Sequence, residues 1–272
     1  MFSPDRINNA ADISTKLNLT NEYLTSPTTS LGGSSYLLTL GDAPLGATYS
    51  AASMSSVPII GTALDDILTS EGSGDDSLIG LDGHDTLRSL GGVDFLFGSA
   101  GDDLLDAGDF ADWLYGDAGN DTLHGGSTAP RGRNTLAGDG GNDSIYADNL
   151  TDSILGGSGN DTVYDRGGSD TIIGGTGDDS ITAIEVSGTV DQQDSIVGGD
   201  GADTIFTEHT NVSSGDTILG GVGSDSIFAG SGVDSIIEYD VDGPSNDTIF
   251  SGDQDDRVFA AAGNDSVDGG RH

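Results

Sequence analysis

From residue 66 onward, apolar side chains return at a single phase. An Asp or Asn stands at positions 66, 76, 85, 94, 103, 112, 121, 134, 143, 152, 161, 170, 179, 194, 203, 216, 225, 234, 247, 256 and 265. Two places after each of these 21 anchors comes Leu, Ile or Val, from Leu68 to Val267, without exception. Fifteen of the twenty steps between anchors are nine residues; the others are 10, 13, 15, 13 and 13. The aliphatic residue, flanked by Ser, Thr and aromatics, predicts a short strand. The Gly, Asn and Asp residues between strands predict turns. One strand and one turn per short fixed period predicts a solenoid.

Composition alone points the other way. The chain has 46 acidic against 8 basic residues, a formal net charge of −38, and 34% hydrophobic residues. Such a balance ordinarily marks a disordered polymer. The strict phase of the apolar residues excludes that reading. The charge argues against nucleic acid as a partner, because that contact needs basic patches, and calls for cations instead. The absence of Cys removes disulfides and thiolate metal sites. No apolar run approaches the roughly 20 residues of a membrane span. The start, MFSPDRINNAAD, has neither the basic nor the apolar region of a conventional signal peptide.

Residues 1–60 differ in kind, with Pro at 4, 27, 44 and 58, the only Lys (Lys16), and four acidic residues. A short helix is predicted over Asn8–Leu19, and strands over Ser35–Leu40 and Ala47–Ser53. This N-terminal segment either caps the first turn of the solenoid, which is expected to occupy 61–270, or docks onto a neighbouring molecule.

The segments GGSGNDTVY, GGTGDDSIT, GGDGADTIF and GGVGSDSIF repeat the pattern G-G-x-G-x-D-x-U-x. The chain thereby resembles the RTX, or hemolysin-type calcium-binding repeat, family. The resemblance implies an all-β fold: a right-handed parallel β-roll of nonapeptide repeats, two repeats per coil. With strands ~4.8 Å apart, about ten coils make a rod roughly 50 Å long. It also implies multiple Ca2+ ions, each between turns one coil apart, held by anchor carboxylates and backbone carbonyls.

Counting anchors from Asp66, odd ones fall on one edge of such a roll and even ones on the other. Complete G-G-x-G-x-D turns end at Asp161, Asp179, Asp203 and Asp225, and near-complete turns at Asp85, Asp103, Asp121 and Asp143; all eight are odd. Together with Asp247 and Asp265 these are the candidate calcium ligands. Even turns are degraded (AGDFAD, RGRN, ADNLTD, VDQQD), and four of the five insertions precede even anchors, Asp76, Asn134, Asp194 and Asp216. A regular calcium column on the odd edge and a sparse even edge are therefore expected. The competing reading is that these Asp residues only close Asx-turns and face water.

Residues three after each anchor are expected to face outward. On even strands they are apolar throughout, from Ile79 and Phe97 to Ile237 and Phe259. That column is explained by β-propensity, by cover from residues 1–60, or by packing against another copy of the chain. The Ser/Thr column one after each anchor resembles ice-binding rows, but Phe95, Trp113 and Arg257 interrupt it. No enzyme constellation is present, and the four His (84, 124, 209, 272) are far apart in sequence. Only Arg271 and His272 follow the last repeat, so the C-terminal secretion signal usual in RTX-like proteins is expected elsewhere, in a longer chain, or the open end is covered by another molecule.

The resulting expectation is a non-catalytic, secreted calcium-binding protein of the cell surface. Its β-roll folds on calcium binding and self-assembles as an S-layer, matrix fibre or adhesin-like structure. The alternative is the non-catalytic repeat region of a type I-secreted enzyme or toxin.

Overall fold

The computed structural model describes residues 58–126, 132–184, 192–208, 215–239 and 244–271, and the backbone of three further strands, Thr28–Gly32, Leu38–Thr39 and Thr48–Ala52. The helix expected over Asn8–Leu19 lies outside these residues, as do His209 and His272.

Each aliphatic position makes a strand and each Gly-rich stretch a turn. Strands that follow odd anchors stack into one 13-stranded parallel sheet, and strands that follow even anchors into a 12-stranded one. The chain alternates between the two sheets, so the fold is an all-β parallel solenoid. Register is kept without slips: Ile145 faces Val163, Val163 faces Ile181, and Ile181 faces Ile205 across the 15-residue insertion step. An insertion therefore lengthens a turn and leaves the stack intact. The short strands Thr28–Gly32 and Thr48–Ala52 are the first two of the 13-stranded sheet, and Leu38–Thr39 and Pro58–Ile60 the first two of the other; the rest follow the eleven odd and ten even anchors.

The core is one continuous ladder. Every aliphatic residue two after an anchor, from Leu68 to Ile249, is buried, which removes the apolar side chain of each repeat from water. Val258 is only partly covered and Val267 is half exposed, because few coils lie beyond them. The position four after each anchor also points inward. Space between the two sheets is so narrow that this second inward residue is small: Gly80, Gly98, Gly116, Gly138, Gly156, Gly174, Gly198 and Gly220 on one sheet, and mostly Ala or Ser on the other.

Outward columns stack as well. Phe95 lies on Trp113 with ring centroids 4.7 Å apart, Phe97 on Tyr115 at 5.1 Å, and Phe228 on Phe250 at 5.0 Å. Such same-face pairs on neighbouring strands add to sheet stability. The residues three after each anchor face outward as expected; Ala137, in register with the larger Tyr115 and Leu155, is the one that is nonetheless buried. Among the described residues no helix is long and apolar enough to cross a membrane.

Candidate metal centre

The anchors line the two edges of the roll, where one sheet turns into the other. Asp66 to Asp247 are buried on the odd edge, and Asp265 is partly covered. Each odd anchor from Asp85 onward uses one carboxylate oxygen to tie its coil to the one before, while Oδ2 of Asp66 accepts from Thr62 in its own turn. Oδ1 of Asp85 accepts the N–H of Asp66 at 2.6 Å, Oδ1 of Asp161 that of Asp143 at 2.8 Å, and the series ends with Oδ1 of Asp265 accepting from Asp247 at 3.1 Å. These charge-assisted bonds satisfy backbone donors that the turn would otherwise leave unpaired.

The other oxygen has no such role. Oδ2 of Asp85, Asp103, Asp121, Asp143, Asp161, Asp179 and Asp203 is buried and has no hydrogen-bond partner. Each of these seven oxygens points to the place where a glycine five residues earlier lacks a Cβ. A Cβ added to Gly80, Gly98, Gly116, Gly138, Gly156, Gly174 or Gly198 would collide with that Oδ2 and with the carbonyl oxygen of the glycine one coil further on. A carboxylate oxygen and a peptide carbonyl thus converge seven times in a row.

The turn backbone makes this possible. In the four complete turns, glycines at the second and fourth positions have φ between about 121° and 140°, as at Gly157, Gly159, Gly199 and Gly201. In the near-complete turns, Leu81, Ser99, Asp117 and Asp139 occupy the second position with φ of 91°, 85°, 70° and 68°. The turn geometry is kept there at the cost of a strained residue.

The odd edge has a second, exposed ladder of side-chain acceptors one residue before most of its anchors, interrupted at Ala202. Asp102 N–H donates to Nδ1 of His84 at 2.8 Å, Asn120 N–H to Asp102, Asn142 N–H to Asn120, and Asn160 N–H to Asn142. His84 is thereby a turn acceptor. The other described histidine, His124, stacks on Tyr146 at 4.8 Å.

The even edge is more regular in its backbone than its sequence suggests. The anchor ladder runs unbroken from Asp76 to Asp256, and Asn134 takes part by accepting the N–H of Asp112 at 2.9 Å. What breaks is the row of second oxygens. Asp112 and Asp256 have a buried Oδ2 with no hydrogen-bond partner, while Asp94 has Ser89 and Asp170 has Asp165 as side-chain partners. Elsewhere on this edge, the Ser70 hydroxyl donates to Oδ2 of Asp76, the Asn134 amide donates to the Gly125 carbonyl, and Oδ2 of Asp152 accepts the Asp148 N–H at 3.4 Å.

Two inward carboxylates escaped the sequence reading. Glu238 stands in the column otherwise held by Gly80 to Gly220, and its carboxylate lies within 4.8 Å of those of Asp225 and Asp247. Gly220 has no Cβ to obstruct it. Asp165 stands in the small-residue column of the opposite sheet, beside Asp152 and Asp170. The available signal was the departure from a column of small residues four after each anchor. It becomes legible once that column is known to point inward.

Burial raises the carboxyl pKa values of a set of anchors on both edges. Loss of solvation pushes Asp85, Asp121 and Asp179 up to about 6, Asp103, Asp161 and Asp203 to about 7, and Asp112 to about 8. Backbone N–H donors oppose this shift, and neighbouring carboxylates reinforce it. A stack of like charges in a poorly solvated edge has to take up protons or cations. Calcium, which favours about six to eight oxygen ligands and accepts carboxylate and carbonyl alike, suits the donor set present. Asp85, Asp103, Asp121, Asp143, Asp161, Asp179 and Asp203 would hold it with the facing carbonyls, and Asp225 and Asp247 with Glu238. When bound, the ion supplies the positive charge that these buried carboxylates lack.

A family model described as the RTX calcium-binding nonapeptide repeat (4 copies) matches residues 72–105, 97–129, 131–149, 146–181, 191–208, 212–237 and 242–271, more than half of the chain. No curated protein matches it.

Proposed function

Since the chain belongs to the RTX calcium-binding nonapeptide repeat family, we propose that it is an extracellular structural or adhesive module whose roll forms when calcium binds. The observation that carries this reading is the row of seven buried, unpaired Oδ2 atoms facing glycine carbonyls on the odd edge. Each repeat buries few apolar atoms, and ordering the chain costs about 1–2 kcal/mol per residue. Counter-charge between coils is then a condition of folding, so ion uptake and folding are one event. Extracellular modules bind calcium at roughly 0.1–1 mM, which suits a chain that stays unfolded in the calcium-poor cytosol and folds outside.

Self-association is the finer part of the proposal. The outward column of Ile79, Phe97, Tyr115, Leu155, Ile173, Val197, Leu219, Ile237 and Phe259 gives one sheet an apolar face of the kind that packs against a second copy. The second reading is the non-catalytic repeat region of a type I-secreted enzyme or toxin, favoured by the same family match. Circular dichroism with calcium and with EGTA tests the folding step: a β signal that ignores EGTA overturns it. Light scattering in calcium then separates the two readings. Ordered polymers support the structural module, and a stable monomer supports the repeat region.

A further inference from the structure

Asp165 occupies a position that its neighbours fill with alanine. It is the inward residue at the end of the strand Thr162–Asp165, and in register one coil later stands Ala183. One coil earlier, Ala147 follows Tyr146, the partner of Tyr164. Both alanines are buried, so packing at this level asks for a methyl group and not for a charge. Asp165 is nonetheless 2% exposed, and no N–H or hydroxyl donor reaches either of its oxygens; its one side-chain partner is the carboxyl of Asp170. A buried carboxylate without donors is strongly destabilising unless a proton or a bound cation neutralises it.

Its carboxylate points at two others. Oxygens of Asp152, Asp165 and Asp170 all lie within 4.8 Å of one another, and Asp152 and Asp170 are themselves 3% and 1% exposed. Oδ1 of Asp170 accepts the Asp152 N–H at 2.5 Å, and no N–H or hydroxyl donor reaches its Oδ2, the remaining side-chain contact being with Asp165. Gly168 leaves the approach open: a Cβ there would stand 2.5 Å from both Asp170 oxygens and against the Leu150 carbonyl. A groove of about 550 Å³, lined by Tyr146, Asp148, Tyr164 and Asp165 among others, adjoins the cluster. The adjacent basic residue, Arg166, is exposed.

We infer that Asp152, Asp165 and Asp170 hold a divalent cation inside the roll, a site of a different kind from the glycine-lined turns of the odd edge. The all-oxygen donor set selects calcium over softer metals. In the odd-edge turns the first residue is a glycine and contributes no side chain; here the corresponding residue, five before Asp170, is the ligand itself. The site pins the coil that carries Asp152 to the next coil, which carries Asp165 and Asp170, at a place where the even edge lacks a G-G-x-G-x-D turn. The inference rests on the calcium reading above.

The test is a crystal structure of the full chain grown in calcium, with long-wavelength anomalous data, together with equilibrium dialysis of variants. An anomalous peak bonded to oxygens of both Asp165 and Asp170 is expected. Peaks in the odd-edge turns with none here, and a carboxyl–carboxylate hydrogen bond joining Asp165 to Asp170, would overturn the inference and leave the calcium reading standing. Peaks at neither place overturn both. Asp165→Ala continues the alanine column and should fold; it is expected to bind one calcium fewer per chain than the wild type. Asp165→Asn, which keeps the shape, is expected to show the same loss, and an unchanged count in both variants refutes the site.

Discussion

The backbone N–H of Asp161 donates to Oδ1 of Asp179, 18 residues later, at 2.8 Å, while Oδ2 of each aspartate is buried without a partner. One carboxylate therefore has two separable tasks. Its first oxygen splices neighbouring coils, and its second is left for a cation.

Substitutions at Asp179 should separate these tasks. Asp179→Asn keeps the acceptor, as Asn134 does on the other edge. It is expected to fold in saturating calcium but to need on the order of ten-fold more calcium at the midpoint, about 1.4 kcal/mol. Asp179→Ala also strands the Asp161 N–H and should cost a further ~1–3 kcal/mol. Calcium titrations followed by circular dichroism, and melting in excess calcium, measure the two effects. Equal midpoints for Asn and wild type would show that Oδ2 is no ligand.

The glycine that faces the carboxylate should be irreplaceable even by alanine. Gly156→Ala would place its methyl group against Oδ2 of Asp161 and the Gly174 carbonyl. A loss of roughly 1–3 kcal/mol is expected from overpacking, with one bound ion lost. Gly269, where an added Cβ would meet nothing beyond its chain neighbours within 4 Å, is the control, and Gly269→Ala should change nothing measurable in the melting temperature.

Leu81 is expected to be a stabilising position to repair. It holds a φ of 91° and is exposed. Leu81→Gly removes that strain and restores a complete G-G-x-G-x-D turn ending at Asp85. A gain of about 1 kcal/mol is expected in calcium, read as a higher denaturation midpoint. A loss of stability would mean that the Leu81 side chain makes contacts worth more than the strain.

Acid should substitute for calcium. The folded-state pKa values of Asp103, Asp161 and Asp203, near 7, lie above the ordinary 3.8 because burial disfavours the charged form. Between about pH 4 and 7 the folded chain thus binds more protons than the unfolded chain, and stability falls as pH rises. This contribution is complete below the unfolded value and is lost as pH passes through about 6 to 8. In EGTA the β signal is therefore expected to be larger near pH 5 than near pH 8. In calcium, where the ion replaces the proton, the difference should shrink. A chelated chain whose β signal rises with pH would contradict this account.

Much of the fold follows from residue spacing. An aliphatic residue two after each anchor has one way to be buried in a narrow roll, and it is buried from Leu68 to Ile249. The glycines of the complete turns signalled their own geometry, because φ near 120° strongly favours that residue. Turn sequence was a poorer guide to the even edge. AGDFAD and VDQQD look irregular, yet Asp112 and Asp194 stand in an unbroken ladder. Joining coils asks for only a backbone N–H and one side-chain oxygen, so the rest of the turn is free to vary.

The linear pattern alone determined the period, the two-edged assignment of the aspartates and the identity of the core ladder, because each is a property of residues at fixed separation along one strand-and-turn unit. Only the tertiary structure decided which carboxylates meet. Asp165 joins Asp152 and Asp170, and Glu238 joins Asp225 and Asp247, because the coil brings residues from different repeats to one level and turns the fourth position of each strand inward. Burial at that level depends on the distance between two sheets, which no single repeat encodes.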